Sequence, residues 1–300
     1  MIAVTILGSN SALPAYGRHQ TSQIVQTRDE YFLVDCGESV QEQMNHFKIR
    51  KSRINHIFIS HLHGDHYFGL IGLLNTYALN KRLTELNVYS PPGLEEVVRL
   101  QMKLANGTFT YPIHFHEIRE GGILLEDEKI KVTAFETKHR IACFGFLFTE
   151  KKVPYRLNIE QVKKYNIPKE FYSHLHYGED YITESGQKIS NHLLTTKTNP
   201  PKSYAYCADT VYFEEICACI QGADLIYHES TYLQDLEDRA HARYHSTTID
   251  AANIARKANV KRLLLGHFSS MYENLEPFKK EAQTIFENSD LAIEGATFIA

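Results

Sequence analysis

The run HLHGDH places three imidazoles and one carboxylate within six residues, directly after the apolar run INHIFIS. These side chains are His61, His63, Asp65 and His66. Neutral imidazole and carboxylate oxygen are the ligands that zinc accepts when thiolates are absent. A loop between a buried strand and a helix can turn closely spaced side chains toward different ions. The run therefore predicts a site for two adjacent metal ions, and the spacing disfavours the alternative of a solvated histidine-rich loop.

Three further candidates each follow another run that is typical of a buried strand. His139 follows KVTAFET, Asp209 follows SYAYCA and His267 follows RLLLG. Because strand ends converge on one edge of a layered sheet, we expect these side chains to complete the metal site. Taken singly, such a histidine is more often a core or surface residue, and such an aspartate is more often a helix cap. Asp35, at the end of the run FLVD, is expected to orient a ligand without binding metal itself.

The runs around these candidates predict a layered α/β fold. VTILGS, SQIVQT and YFLVDC predict an antiparallel sheet at the start of the chain. From Ile54 onward, strand-like runs alternate with helical patterns such as GLIGLLNTYAL and TIDAANIARKA. Residues 151–202 interrupt this alternation because they are polar and include four prolines. We interpret residues 1–300 as one α/β domain with segment 151–202, the arm, inserted into it.

Composition and charge limit the possible cellular setting and partners of the protein. The 300 residues are 43% hydrophobic, enough for a sizeable core, and no apolar window or leader-like start predicts a membrane span or export. Five cysteines without a CxxC pair favour neither a disulfide framework nor a thiolate zinc site, so we expect a reducing, cytoplasmic setting. The net charge is −4, but the arm holds eight lysines and one arginine against five acidic residues, or +4. The whole-chain charge therefore conceals a local basic patch.

In order and spacing, the candidate ligands resemble the motifs of the metallo-β-lactamase fold superfamily, whose HxHxDH motif matches HLHGDH. Within that superfamily the chain is similar to the ribonuclease Z family of tRNA 3′-processing endonucleases over nearly its whole length. The motifs that carry this resemblance are ILGSNSALP, FLVDCGESVQEQM, KHRIACFGF, AYCADT, HEST at 228–231, HST at 245–247, and GHFSSMY. The resemblance implies an αββα four-layer sandwich. It also implies that the arm is a flexible exosite that grips the body of tRNA.

The same resemblance implies a ligand set and a mechanism. One zinc ion would be bound by His61, His63 and His139, the second by Asp65, His66 and His267, and Asp209 would bridge them. Asp65 would accept a proton from the attacking water, and His245, polarised by Glu229, would protonate the leaving 3′ oxygen. Independently, Thr247 and Asp250 predict a capping box at a helix start beside His245. The implied reaction is hydrolysis of precursor tRNA just 3′ of the acceptor stem, which leaves a 3′ hydroxyl on the tRNA, by a homodimer.

The chain departs from the family pattern where substrate is held. Ser9 and Asn10 stand where the family has GTG, Met271 stands where it has arginine, GEGT reads GESV, and the arm lacks a Gly-Pro motif. One alternative is therefore a metallo-hydrolase of the same fold that acts on small phosphodiesters, sulfates or lactones, although such an enzyme would not need a basic arm. A second is a non-catalytic RNA-binding protein with structural zinc. Seven O/N ligands for two ions disfavour it because they leave positions for water and substrate.

Overall fold

The computed structural model describes residues 1–28, 30–151, 154–196 and 200–300. The strands are β1 (Ala3–Gly8), β2 (Ser22–Gln26), β3 (Tyr31–Val34), β4 (Ile54–Phe58), β5 (Leu86–Ser90), β6 (Ile113–Glu117), β7 (Gly122–Glu126), β8 (Ile130–Glu136), β9 (Phe144–Glu150), β10 (Arg156–Leu157), β11 (Tyr181–Ile182), β12 (Lys188–Ile189), β13 (Thr195–Thr196), β14 (Ser203–Cys207), β15 (Leu225–Glu229), β16 (Leu263–Gly266), β17 (Ser289–Leu291) and β18 (Thr297–Ile299). The α-helices are α1 (Val40–His46), α2 (Gly64–Tyr67), α3 (Leu70–Leu79), α4 (Leu94–Leu104), α5 (Ile159–Lys164), α6 (Tyr172–His176), α7 (Asn191–Leu194), α8 (Ile216–Cys219), α9 (Glu237–Ala242), α10 (Thr248–Lys257) and α11 (Glu276–Gln283). Short 3₁₀ helices span Lys51–Arg53, Lys169–Phe171 and Gln234–Leu236.

Two seven-stranded sheets form the frame of the described chain. The first has the order β18-β1-β2-β3-β4-β5-β6, antiparallel from β18 to β3 and parallel from β3 to β6. The second has the order β17-β16-β15-β14-β9-β8-β7 and is parallel from β17 to β14. The predicted antiparallel start and the α/β alternation that follows it are both confirmed.

The inner faces of the two sheets pack through buried aromatic side chains. Phe58 of β4 lies 5.4 Å from Phe146 and 5.6 Å from Phe148, both of β9, between ring centroids. Phe32 of β3 also contacts Phe148 at 5.6 Å. Hydrogen bonds also join the same two faces. Tyr204 donates to Gln23 and Tyr206 donates to Asp35. The hydroxyls of Tyr227 and Thr21 are hydrogen-bonded to each other.

Helices cover the outer faces. Helices α1, α3 and α4 pack on the first sheet, and α8, α10 and α11 pack on the second. Helix α10 begins with the predicted capping box, since Thr247 Oγ1 accepts from the Asp250 amide (3.2 Å) and Asp250 Oδ2 accepts from the Thr247 amide (2.9 Å). The layers are therefore helix, sheet, sheet and helix, and the expected αββα sandwich is confirmed. No described helix combines the length and the hydropathy needed to cross a membrane.

The chain separates into two compact units. The first comprises Met1–Glu126, Lys131–Thr149 and Lys202–Ala300, and the second comprises Asp127–Ile130 and Glu150–Pro201, which include most of the arm. Within the second unit, α5, α6 and α7 and the strand pairs β10-β13 and β11-β12 enclose a small apolar core. That core consists of Val162, Ile167, Leu175, Ile189 and Leu194. Arm residues Lys152, Val153 and 197–199 lie outside the described residues.

Candidate metal centre and active site

All seven predicted metal ligands meet within the first unit, where strands of both sheets end. The first sheet supplies the segment after β4, in which His61 and His63 precede α2 and Asp65 and His66 lie within it. The second sheet supplies His139 after β8, Asp209 after β14 and His267 after β16. The placement after strand ends, which carried the sequence prediction, is therefore what brings the seven side chains together.

The ligands form two groups of nitrogen and oxygen atoms. The first group is His61, His63 and His139, and the second group is Asp65, His66 and His267. Asp209 faces both groups, because its Oδ2 lies 3.7 Å from His61 Nε2 and 3.9 Å from His139 Nε2. Its other oxygen, Oδ1, lies 3.5 Å from His66 Nε2 and 3.2 Å from His267 Nε2. This carboxylate thus presents one oxygen to each group.

On the first sheet, Asp35 fixes the rings of two ligands. Its carboxylate accepts hydrogen bonds from the Ser60 amide (2.7 Å), the Ser60 hydroxyl (2.8 Å), the Tyr206 hydroxyl (2.6 Å) and His66 Nδ1 (2.7 Å). Since the Ser60 hydroxyl proton points to Asp35, its oxygen accepts from His61 Nδ1 at 3.0 Å. Both imidazoles are thereby held with Nε2 toward the centre, and Asp35 has the orienting position that the sequence predicted.

On the second sheet, two groups that sequence reasoning missed do the same. Thr231 donates its hydroxyl proton to Glu229 Oε2 (2.8 Å) and accepts from His267 Nδ1 (2.9 Å). The backbone carbonyl of Tyr244 accepts from His139 Nδ1 at 3.0 Å. Thr231 closes the HEST run, so its position in that motif was a signal for its role, whereas a backbone carbonyl leaves no signal in a sequence.

Orphaned atoms at the centre show that the residues fit metal ions. His66 Nε2, Asp209 Oδ1 and His267 Nε2 are buried and have no hydrogen-bond partner among the described residues. In the first group, His63 Nδ1 lies 3.0 Å from His61 Nε2 and 3.2 Å from the His139 Nε2 atom. His63 Nδ1–H can donate to only one of these two acceptors, so the other pair of nitrogens has facing lone pairs, which repel unless positive charge lies between them. Buried polar groups are seldom left unpaired. The donor set of imidazole and carboxylate matches divalent transition metals.

The pKa shifts point to the same need for positive charge. Burial lowers the pKa of all three first-group imidazoles, which keeps them in the neutral form that binds metal. Burial would also lower the pKa of His66, but Asp209, Asp35 and Asp65 outweigh it and raise that pKa well above the ordinary value. For Asp209, burial raises the pKa, but His267 and the other imidazoles hold it below its usual range. A bound cation would satisfy the carboxylates in place of these protons.

Next to the ligands lies a carboxylate–imidazole pair. His245 Nδ1 is 2.9 Å from Glu229 Oε1 and 3.9 Å from Asp209 Oδ2. Glu229 is fully buried and also accepts from the Thr210 amide at 3.2 Å. Burial would lower the pKa of His245, but Glu229 and Asp209 raise it to about 9. The imidazole is thus able to hold a proton at neutral pH, as a general acid requires.

A cleft of about 780 Å³ opens onto these groups. One part of its lining comes from residues 11–13 and 269–271, and another from Arg140, Arg239 and Arg243. The departures Ser9 and Asn10 do not line it: Ser9 donates to Glu294, and Asn10 Oδ1 accepts from Arg18 (2.7 Å). Met271, where the family has arginine, lines the cleft and is about half exposed.

Solved structures define the class of the fold. The chain aligns with human tRNase Z, short form, at a TM-score of 0.73 and 26% identity, over 99% of this chain and 98% of that one. It aligns with the metallo-β-lactamase fold protein YhfI from Bacillus subtilis at a TM-score of 0.68 and 18% identity, over 100% of each chain. Fold and site together define a metallo-β-lactamase fold protein with side chains arranged for metal ions.

Sequence relatives define the family. The chain is 43% identical over 291 residues to ribonuclease Z of Bacteroides fragilis, and the alignment covers 96% of both chains. It is 41% identical over 294 residues to ribonuclease Z of Porphyromonas gingivalis, which covers 97% of both. The chain belongs to the ribonuclease Z family, and its residues 2–174 also place it in the family described as "Anti-Pycsar protein Apyc1". The predicted membership of the ribonuclease Z family is confirmed.

Proposed function

We propose that this protein is a zinc-dependent endoribonuclease that removes the 3′ trailer of precursor tRNA and leaves a 3′ hydroxyl on the tRNA. The observation that carries the proposal is the convergence of seven metal-ligand side chains with the His245–Glu229 pair in one cleft. Membership of the ribonuclease Z family supports the choice of RNA as substrate.

Two zinc ions would occupy the centre, one held by the first group, the other held by the second group, with Asp209 between them. When bound, such a pair activates a water molecule and neutralises charge on the scissile phosphate. The protein contributes the fixed directions of the ligands. Asp35 and Thr231 hold Nδ1 of His66 and His267, so that Nε2 of each points inward.

The chain's own residues would move the protons. Asp65 Oδ2, which lies 3.5 Å from His66 Nε2 and 3.7 Å from His267 Nε2, would accept the proton of the attacking water. His245 would donate its proton to the leaving 3′ oxygen, while Glu229 stabilises the imidazolium before transfer. An alkoxide is a poor leaving group, so protonation at that atom supports cleavage of an RNA chain.

The arm and the assembly belong to the same proposal. Lys163, Lys164 and Lys169 of the arm are exposed and have no carboxylate partner among the described residues, as expected of an exosite that contacts the body of tRNA. We propose further that the protein is a cytoplasmic homodimer, as the resemblance to the family implies.

The test is cleavage of a labelled 3′-extended precursor tRNA by zinc-loaded protein, with the product ends mapped. The expected result is one cut just 3′ of the acceptor stem, a 3′ hydroxyl on the tRNA, and loss of the cut after chelation. Bis(p-nitrophenyl) phosphate serves as a matched small substrate. Rapid hydrolysis of that ester with an uncut precursor would reject the proposal in favour of a small-phosphodiester hydrolase.

A further inference from the structure

Three arginines line the cleft without an ion-pair partner among the described residues. Arg140, Arg239 and Arg243 are exposed, and among the described residues no carboxylate lies within ion-pair distance of any of them. Elsewhere in the chain, arginines such as Arg99 and Arg119 do have carboxylate partners, at 2.6 and 2.5 Å. The cleft thus concentrates positive charge that the folded protein leaves unused.

Two of these arginines are four residues apart at the C-terminal end of α9. Arg239 lies in α9, and Arg243 follows the helix directly, with its amide bonded to the Ala240 carbonyl at 3.0 Å. Residues four apart lie on the same face of a helical turn, and like charges at that spacing destabilise the helix. The Arg239 guanidinium also lies 5.6 Å from the ring centroid of Tyr232, which holds the side chain at the wall. Among the described residues no carboxylate pairs with either arginine, so the pair fits an anionic ligand.

We propose that Arg239 and Arg243 bind consecutive phosphates of single-stranded RNA beside the scissile bond. This inference rests on the proposed function, because it takes RNA as the substrate of the same cleft. Guanidinium groups bind phosphate in a bidentate manner, and two adjacent unpaired guanidiniums suit a chain of phosphates better than a small ester with one. They also supply cationic contacts in a cleft where Met271 stands in place of the family's arginine.

The experiment measures binding of a short, fluorescently labelled single-stranded RNA by anisotropy at several salt concentrations. All proteins are zinc-loaded and carry His245→Ala, so that the RNA stays intact. The double substitution Arg239→Gln/Arg243→Gln is compared with Arg256→Gln, which removes an exposed helix arginine outside the cleft. Loss of two phosphate contacts should weaken binding about tenfold at low salt and reduce the slope of log K against log salt by about 1.4. A slope and affinity equal to those of the Arg256→Gln control would overturn the assignment.

Thermal unfolding separates this role from a structural one. The double substitution relieves a like-charge repulsion and loses the contact of Arg239 with the Tyr232 ring, so the melting temperature should change little. A lowered melting temperature together with weaker binding would assign the arginines to the fold and overturn the proposal. Failure of the proposed function has a different signature, an intact precursor tRNA with wild-type protein, and the RNA-binding comparison remains readable in that case.

Discussion

Replacing Asp35 by asparagine should weaken metal binding without removing any ligand. The carboxylate accepts four hydrogen bonds, three of them on Oδ2, from Ser60 Oγ, Tyr206 and His66. An asparagine in Asp35→Asn would keep its oxygen at that position and turn its amide toward the Ser60 backbone N–H, which then has no acceptor. Leaving that buried donor unpaired costs about 1–3 kcal/mol. The three remaining hydrogen bonds to a neutral acceptor are each weaker by about 1 kcal/mol, so the free energy of unfolding should fall by about 4–6 kcal/mol in total.

The effect on the metal follows from the ring of His66. A neutral partner fixes Nδ1–H less firmly and makes Nε2 less basic, so zinc affinity should fall about 10- to 100-fold. Competition with a chromogenic zinc chelator measures this affinity, and urea unfolding of the chelated protein measures stability. Tyr206→Phe is the control, because it removes one donor to Asp35 and keeps the carboxylate: it should cost about 1–2 kcal/mol and change zinc affinity little. Zinc affinity of Asp35→Asn within about twofold of wild type would refute the role given to Asp35.

Three further substitutions test the reaction and the grip on RNA. His245→Ala should slow RNA cleavage about 10²- to 10⁴-fold but slow bis(p-nitrophenyl) phosphate hydrolysis much less, because nitrophenolate needs no proton to leave; equal losses would contradict the general-acid role. Met271→Arg should lower the KM for precursor tRNA and steepen the slope of log KM against log salt concentration by about 0.7. An unaltered slope would exclude a phosphate contact at that position. Lys163→Gln/Lys164→Gln in the arm should raise the KM for precursor tRNA while small-ester turnover stays constant. Lys188→Gln, whose ammonium already has a carboxylate partner, is the matched control, and an equal rise in both variants would argue against an exosite.

The sequence could predict that the candidate ligands meet because the segments that carry them follow strands, and strand ends meet. His139 and His267 are far apart in the chain, but the apolar runs before them place both at one edge of the second sheet. The capping box at Thr247 was equally predictable, since it depends on two residues three positions apart. Periodicity and local spacing therefore carry the fold and the ligand set.

The sequence could not predict which ring nitrogen of each histidine faces the centre. That choice depends on partners from distant segments, such as Tyr206 through Asp35 and Thr231 beside His267. The unpaired arginines were equally hidden, because exposure to solvent and exposure to the cleft produce the same polar pattern along α9. The structure puts Arg243 in the cleft lining.

The tyrosine hydroxyls between the two sheets determine under which conditions the candidate metal centre comes apart. Four of the candidate ligands follow a strand of the first sheet and three follow strands of the second, so the centre exists only while the sheets keep their relative position. Tyr204 and Tyr206 donate across the interface between the sheets and Tyr227 bonds to Thr21 across it, and without these bonds apolar contacts would fix the relative position of the layers less firmly. A molten globule keeps its sheets but loses such fixed contacts. The centre should therefore disappear together with the near-ultraviolet circular dichroism signal, while the far-ultraviolet signal of the strands persists.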